Sequence, residues 1–462
     1  MTTTAVARLS RDAGHGRPAA PVRIVHLGVG NFFRAHQAWY TEHAADAAEW
    51  GIAAFTGRSA AMADALRPQG GLYTLVTKGT DEDSYEVISS LSAVHAAGEH
   101  AALLDYFRSP ALAVVTLTVT EAGYRRGPDG GLDRTDPAVA ADLAALRVDP
   151  DAPVGTAPAR VVAGLLARRA AAAGPLAIVS CDNLSHNGKV LARVVRDLAA
   201  EVDGSLVAWL DTEVSFCTTM VDRITPATTD GDRAAVLVVT GLEDAAPVPT
   251  EPFSEWVIQG SFPAGRPAWE SAGARIVPDV VPFERRKLAL LNGSHSLLAY
   301  AATILGHHTV DEAIGDPRCL AWVEQWWDEA CRHLPLPADE LTAYRAALLD
   351  RYRNPNIRHA LAQIASDGSL KLGVRILPTL QAELADGRVP DGACRAIAAW
   401  VLHLRGVGAP VRDVNADRVT PLGAGSLGES VAAVLGFLGL SEHPAVAERV
   451  EALAGELLTL AG

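Results

Sequence analysis

The sequence predicts an α/β protein. A domain built on a parallel sheet with added strands comes first, and a mostly α-helical C-terminal domain follows. Three observations carry this. The apolar stretch 22–27 runs straight into Gly28-Val29-Gly30 and then into a helix-like segment beginning at Arg34. The β-branched runs 113–119 and 176–180 read as buried strands, each ending in polar residues. From about Pro282 the apolar residues switch to helical spacing. A chain of 462 residues exceeds one ordinary core. The boundaries read as a flexible tail over 1–21, an α/β domain over 22–281 and a helical domain over 282–462.

Composition narrows the function. With 49% hydrophobic and 20% charged residues the chain is of globular type. A formal net charge of -14 argues against nucleic acid, which needs a basic face. Cys181, Cys217, Cys319, Cys331 and Cys394 are scattered with no CxxC pair, which argues against a disulfide scaffold and a structural zinc. The first twenty residues hold no apolar core of signal-peptide type, and no stretch is long and apolar enough to span a bilayer. The expectation is a cytoplasmic protein without a membrane partner.

Strand, glycine turn and helix start, in that order, make a place for a pyrophosphate in a Rossmann-type domain. Gly28 permits the turn, and Gly30 lets backbone approach phosphate. Phe33 stands where a third glycine is usual, and the competing reading of this spacing is a plain structural turn. The stretch 50–55 reads as the second strand, whose end recognises the adenosine ribose. An acid there would favour NAD. This chain offers Thr56-Gly57-Arg58-Ser59, and Arg58 suits a 2′-phosphate and so NADP, or is a solvated loop arginine.

Glu121 stands just past the strand 113–119, and Cys181-Asp182-Asn183 follow 176–180. Asn183 is the candidate donor toward a substrate oxygen. The competing reading makes Asp182 or Asn183 the cap of a helix over 189–199. The segment 125–160 reads as loop plus a helix over 137–146. Asp222 and Arg223 could pair with each other at a surface. The stretches 236–240 and 256–258 read as extra strands forming an appended sheet.

Helical spacing covers 285–304, 311–335, 338–350, 355–366, 376–385, 390–406, 428–440 and 443–460. Trp322, Trp326 and Trp327 fall at helical spacing and read as packing. His307 and His308 lack a third ligand at sensible spacing, so no metal site is assigned. Lys371 and Arg375, where one helix ends and the next begins, either bind a substrate anion or are surface charges.

The stretch 282–295 carries the chemistry: Glu284, Lys287, Asn292 and His295. At about 100° per residue these four fall within an arc of about 140° on a helix. Alcohol oxidation needs a base for the hydroxyl proton and donors for the oxygen that becomes a carbonyl. Lys287, opening the apolar run Lys287-Leu-Ala-Leu-Leu291, can be that base if burial or nearby positive charge, such as Arg285 and Arg286, lowers its proton affinity. Asn292 and Asn183 can grip the oxygen, His295 a neighbouring hydroxyl, and Glu284 can relay the proton to water. The competing reading is a snorkelling lysine beside a hydrogen-bonded Asn–His pair.

These stretches together resemble the mannitol dehydrogenase family, the polyol-specific long-chain dehydrogenases and reductases. The matching motifs are Gly28-Val-Gly30-Asn-Phe32-Phe-Arg34-Ala-His36-Gln37, Thr118-Val-Thr-Glu121, Cys181-Asp-Asn183-Leu-Ser-His-Asn-Gly188 and Met220-Val-Asp222-Arg-Ile-Thr-Pro226. Glu284-Arg-Arg-Lys287 through His295, Arg353-Asn-Pro-Asn-Ile357 and Asp367-Gly-Ser369 complete the set. The resemblance runs from about residue 22 to the C-terminus. It implies an active site between a nucleotide-binding and a helical domain, and no zinc. Lys287 is the implied general base, Asn183 and Asn292 polarise the oxygen, His295 places the substrate and Glu284 serves proton escape. Asp222 sits at the active-site edge. Gly28, Gly30, Phe32, Arg34, Arg58 and Glu121 are the cofactor-binding candidates.

The implied cofactor is NAD, with NADP left open by the missing acid. The implied reaction interconverts a polyol and a ketose, of D-mannitol and D-fructose type. Fructuronate or tagaturonate reduction and mannitol-1-phosphate 5-dehydrogenation are the alternatives, and a catalytically inactive ligand-binding relative is a further one. The helical domain offers a surface for a homo-oligomer, whereas family members that act as monomers favour a monomer.

Overall fold

The computed structural model describes residues 6–461. The chain divides into two compact units, the first ending at Val280 and the second beginning at Val281.

The first unit is built on an eight-stranded sheet. Across it lie Arg275–Ile276, Glu255–Gln259, Val214–Asp222, Leu176–Ser180, Val114–Leu117, Val22–Leu27, Gly51–Phe55 and Leu91–His95. The six strands from Val214–Asp222 to Leu91–His95 are mutually parallel. Their chain order reverses between Val22–Leu27 and Val114–Leu117, which is the switch point of a doubly wound Rossmann sheet and the place where such sheets bind ligands. Gly51–Phe55 and Leu176–Ser180 are buried along their whole length, because helices cover both faces. Leu103, Val162 and Leu191 belong to the core on one face, and Phe33, Trp256 and Trp269 to that on the other.

The added strands differ from expectation. Residues 236–240 belong to the helix Asp230–Thr240, whose start carries a full capping box between Thr229 and Asp232. The valine run favours a strand by propensity, but Val238 is 84% exposed and packs on nothing that would reward one. Residues 256–258 are a strand, Glu255–Gln259, which extends the main sheet antiparallel to Val214–Asp222 instead of forming an appended one. A separate sheet of three strands places Tyr73–Lys78 between Asp83–Ile88 and Val248–Thr250.

The expected flexible tail, 1–21, is also corrected. Residues 1–5 lie outside the described residues. Beyond them, Ala7–Arg8 pairs in parallel with Leu242–Glu243, and Leu9 is fully buried. The Arg11 guanidinium donates to the carbonyls of Gly70, Ser89 and Leu91. A polar composition concealed these long-range backbone contacts.

The second unit is helical. Asp391–Leu404 runs through its middle, buried from Gly392 to Leu404, and packs against Ser294–Ile304 and Pro444–Leu460. An all-round apolar helix must be interior. The stretch 311–335 splits into Val310–Gly315 and Pro317–Cys331, with Asp316 capping the second. The stretch 355–366 yields one turn, Leu361–Ile364. Gly368–Arg375 is a helix of its own, entered through Asp367 in the left-handed region (φ 56°). Among the described residues no helix is long and apolar enough to cross a membrane.

Candidate active site

In the first unit the glycine turn sits on the switch point. Gly28 has φ +111°, and a Cβ there would stand 2.1 Å from the carbonyl oxygen of Thr118 on the neighbouring strand's exit. Only glycine fits. Gly30 has open space where a side chain would project, which fits close approach of a phosphate to backbone. The helix starts three residues earlier than expected, at Asn31, and breaks at His36 into Asn31–Ala35 and Gln37–Glu42.

Beneath the turn lies a residue that the sequence reading missed. His26 is fully buried, with Nε2 2.5 Å from the Gly28 carbonyl and Nδ1 2.7 Å from Thr116 Oγ1. Its ring stacks on Phe33 at 3.4 Å between centroids. Burial holds its pKa down, to about 3. The ring is therefore neutral, with Nε2–H donating to the glycine carbonyl and Nδ1 accepting from the threonine. Phe33 is thus a packing partner for His26, which explains a bulky residue at that position of the motif.

The cofactor candidates separate. Phe32 is half-buried, stacked on the His36 ring. Arg34 is 1% exposed and its donors are committed, Nη1 to the Ala246 carbonyl at 2.5 Å and Nη2 to Asn31 Oδ1 at 2.7 Å. It braces the turn from within the protein. Arg58 is exposed and makes no hydrogen bond or ion pair among the described residues. Glu121 is exposed and lines a shallow cleft with Arg125 and Asp136.

The loop before Glu121 is held under strain. Thr120 has φ +69°, rare for a β-branched residue. Its N–H and that of Val119 donate to the Asp182 carboxylate at 2.7 and 3.1 Å, and Tyr124 O–H adds a third bond at 2.8 Å. Asp182 thereby ties together the loops leaving two adjacent parallel strands. Burial pushes its pKa up. It is no helix cap: the helix Asn187–Val202 follows His186, without a side-chain cap. Asn183, next in sequence, is exposed at the sheet's carboxyl edge. Asp222 ends its strand and is buried. Arg223 does not pair with it at a surface, since its guanidinium is buried and donates to the carbonyls of Ala35 and Glu251.

In the second unit Glu284, Lys287, Asn292 and His295 lie on one continuous helical path, but it is not an α-helix throughout. Val281–Arg286 is α, Lys287–Gly293 is π and Ser294–Ile304 is α again. Residues five apart stand about 140° apart around an α-helix, whereas the wider i→i+5 turn brings them to roughly 50°. Asn292 is thereby carried toward the face of Lys287, about one wide turn on. Lys287 is 9% exposed, Glu284 and His295 are buried and Asn292 is half-buried.

The displaced π carbonyls find side-chain donors. Trp326 Nε1 donates to Ala289 and Trp327 Nε1 to Leu290, at 2.8 and 2.9 Å. Ser294 Oγ reaches Leu290 at 2.5 Å and Tyr352 Oη reaches Leu291 at 3.2 Å. The His295 ring stands 4.9 Å from Tyr352 and edge-on to His359 at 5.2 Å. Arg285 is exposed, while buried Arg286 pairs with Glu340 at 3.1 Å and covers the Tyr344 ring.

His307 does gain neighbours that spacing did not show, Asp316 and Cys319, with potential ligand atoms within 4.8 Å of one another. The Asp316 carboxylate is already shared between His307 at 3.0 Å and Arg318 at 2.6 Å. All five cysteines are free thiols.

Comparison with known proteins agrees with this anatomy. Residues 22–271 match the model for the mannitol dehydrogenase Rossmann domain, and 279–457 that for the mannitol dehydrogenase C-terminal domain. The chain is 37% identical to the D-mannonate oxidoreductase of Escherichia coli (strain K12), over 87% of this chain and 83% of that one. It superposes on a substrate-free D-sorbitol dehydrogenase with a TM-score of 0.88 at 29% identity, covering 96% of this chain and 97% of that one. For the Pseudomonas fluorescens mannitol 2-dehydrogenase, solved as a ternary complex with NAD and D-mannitol, the TM-score is 0.77 at 34% identity, with 96% and 94% covered. The chain belongs to the mannitol dehydrogenase family of oxidoreductases.

Proposed function

We propose that this protein is an NAD-dependent, metal-independent oxidoreductase that interconverts a polyol-type alcohol and the corresponding ketose, of D-mannitol and D-fructose type, with Lys287 as general base. The observation that carries the reading is the π segment Lys287–Gly293, which buries a lysine at its start and turns Asn292 toward the lysine's face. Wide turns of this kind recur at functional sites.

NAD, when bound, supplies the hydride acceptor. Gly28, Gly30 and Phe32 form the backbone cradle that fits its pyrophosphate, with the open space at Gly30 as the point of closest approach. The alcohol proton passes to the neutral amine of Lys287. The Asn292 amide donates to the oxygen as it becomes a carbonyl, and His295, held between Tyr352 and His359, fixes an adjacent hydroxyl. Glu284 returns the proton to water. Asn183 is assigned as a further donor toward a substrate oxygen, and Asp222 as a polar residue of the site's edge. In this scheme an ammonium–amine couple and amide donors do what a metal ion would otherwise do.

NADP is the second cofactor reading, favoured by exposed Arg58 at the end of the strand Gly51–Phe55, where NAD-specific sites place an acid. Initial rates with NAD(H) and NADP(H), each against mannitol and fructose, arabinitol and fructuronate, test both points. Turnover by the wild type that Lys287→Ala abolishes, with cofactor binding retained, is the expected result. Cofactor and ligand binding without turnover would instead make the protein a ligand-binding relative.

A further inference from the structure

We propose that His307, Asp316 and Cys319 form a binding site for a divalent cation of zinc type, which joins the end of the helix Ser294–Ile304 to the start of the helix Pro317–Cys331.

The helix Ser294–Ile304 ends through Leu305 and Gly306, whose φ is +88°. The His307 N–H closes that end on the Ala302 carbonyl at 3.1 Å, which fixes where the imidazole starts. Asp316 caps the helix Pro317–Cys331, and Cys319 lies in its first turn. The two helices pack against each other. The second carries Trp326 and Trp327, whose indoles donate to Ala289 and Leu290. At about 1.5 Å per residue the first helix runs about 14 Å from His295 to Ile304, so the site stands apart from the chemistry proposed at Lys287.

The potential ligand atoms of the three side chains lie within 4.8 Å of one another. His307 Nε2 and the Asp316 carboxylate are 3.0 Å apart. Nitrogen and oxygen bound to one tetrahedral zinc are about 3.3 Å apart, and nitrogen and sulfur about 3.5 Å. The three atoms therefore close on an ion by a side-chain adjustment of about 1 Å. Imidazole, carboxylate and thiolate together suit zinc, whereas magnesium and calcium take oxygen ligands and would leave the thiol unused. Three protein ligands leave a fourth position for water.

Helix capping accounts for Asp316 with Arg318 but not for the other two groups. Asp316 accepts from the Arg318 N–H at 2.9 Å and from its guanidinium at 2.6 Å. Arg318 is exposed, so this pair stabilises little by itself. It is the outer hydrogen bond that holds a ligating carboxylate in place. Cys319 is fully buried, and its thiol makes no hydrogen bond among the described residues. The His307 side chain is 23% exposed, which leaves the ion a way in. Binding releases the thiol proton to water. It replaces the His307–Asp316 hydrogen bond with bonds to the ion, the imidazole proton passing to Nδ1. The ion takes no part in the reaction, so the metal independence proposed for the chemistry is unaffected.

The test titrates the EDTA-stripped, desalted full chain with Zn²⁺ in competition with a chromophoric chelator, and with Co²⁺ by absorbance. One equivalent of Zn²⁺ is expected to bind with Kd of about 1 μM or tighter. It should raise the melting temperature by about 5 °C at a 100-fold excess over Kd. Bound Co²⁺ should show a thiolate charge-transfer band and the intense visible bands of a tetrahedral ion. His307→Gln and Cys319→Ala should each weaken Zn²⁺ binding about 100-fold and remove the thermal shift. Circular dichroism and melting of the stripped variants show that they are folded, and partly exposed His307 tests the site without disturbing the core.

Zn²⁺ binding weaker than about 100 μM, a Co²⁺ spectrum without the thiolate band, or a thermal shift unmoved by either substitution overturns the proposal. Slower amide exchange at the end of the first helix and the start of the second, in the zinc-loaded wild type and not in Cys319→Ala, is the expected sign of the joined helices. Exchange unmoved by bound zinc overturns the joining.

Discussion

The indole N–H of Trp326 donates to the backbone carbonyl of Ala289 at 2.8 Å, inside the turn that carries Lys287 and Asn292. A π turn shifts every backbone bond by one residue, and an unpaired buried carbonyl is costly. The tryptophan pair 326–327 adds a side-chain donor to two carbonyls of the turn. It also explains Gly293, where a Cβ would fall 2.7 Å from the Trp326 ring. Trp326→Phe removes the donor together with the five-membered half of the indole. The expected loss is about 2–4 kcal/mol of stability from the hydrogen bond and the cavity together and about a tenfold fall in kcat with a smaller change in KM. Thermal melts and steady-state kinetics measure both. An unchanged kcat in the destabilised variant would show that the turn's geometry does not matter to the chemistry.

Gly28 and Gly30 make opposite predictions. Gly28→Ala forces a Cβ against the Thr118 carbonyl in a left-handed backbone. It should cost about 1–3 kcal/mol in a urea titration. Gly30→Ala meets no protein atom within 4 Å at φ -86°, so the melting temperature should hold while KM for NAD rises about tenfold or more. A Gly30→Ala protein with wild-type KM for NAD would move the pyrophosphate away from this turn.

How much of this was legible depends on where the determinants sit. The strand Val22–Leu27, the glycine turn and the polar edge at Asn183 read directly, because a buried parallel strand and a ligand edge leave local patterns. Lys287, Asn292 and His295 also read directly as a set, but their phase did not. The π turn is braced by Trp326, Trp327 and Tyr352, more than 30 residues away in sequence. The same limit hid His26, an apolar strand's lone histidine until its bonds to Gly28 and Thr116 are seen. The brace from Arg34 was hidden for that reason too: its partner Ala246 lies 212 residues off. The valines over 236–240 misled because propensity yielded to a capping box spanning four residues, Thr229 to Asp232.

His26 gives a pH prediction with a definite sign. Its pKa is lowered from 6.5 to about 3 by burial. Between those values the unfolded chain binds a proton that the folded chain does not. The stability contribution is therefore fully present above pH 6.5 and is lost as pH falls toward 3, by about 1.4 kcal/mol per pH unit. His403, lowered to about 4, acts in the same direction. His26→Gln should flatten the dependence of stability on pH between 6.5 and 5 by about that slope, read from urea midpoints at constant m. An equal slope in the variant would mean that His26 is protonated in the fold.

Arg286 is buried next to Lys287 in sequence, and Glu340 offsets its charge at 3.1 Å. Glu340→Gln removes the negative charge and keeps the shape. The added net positive potential disfavours a protonated amine nearby, so the active, neutral base persists to lower pH. The rising limb of kcat/KM against pH should therefore move toward acid by about half a unit to one unit. Maximal rates at high pH should stay near wild type, because no group that touches substrate has changed. A limb that stays in place, or one that moves toward alkali, would place the controlling titration on a group other than Lys287.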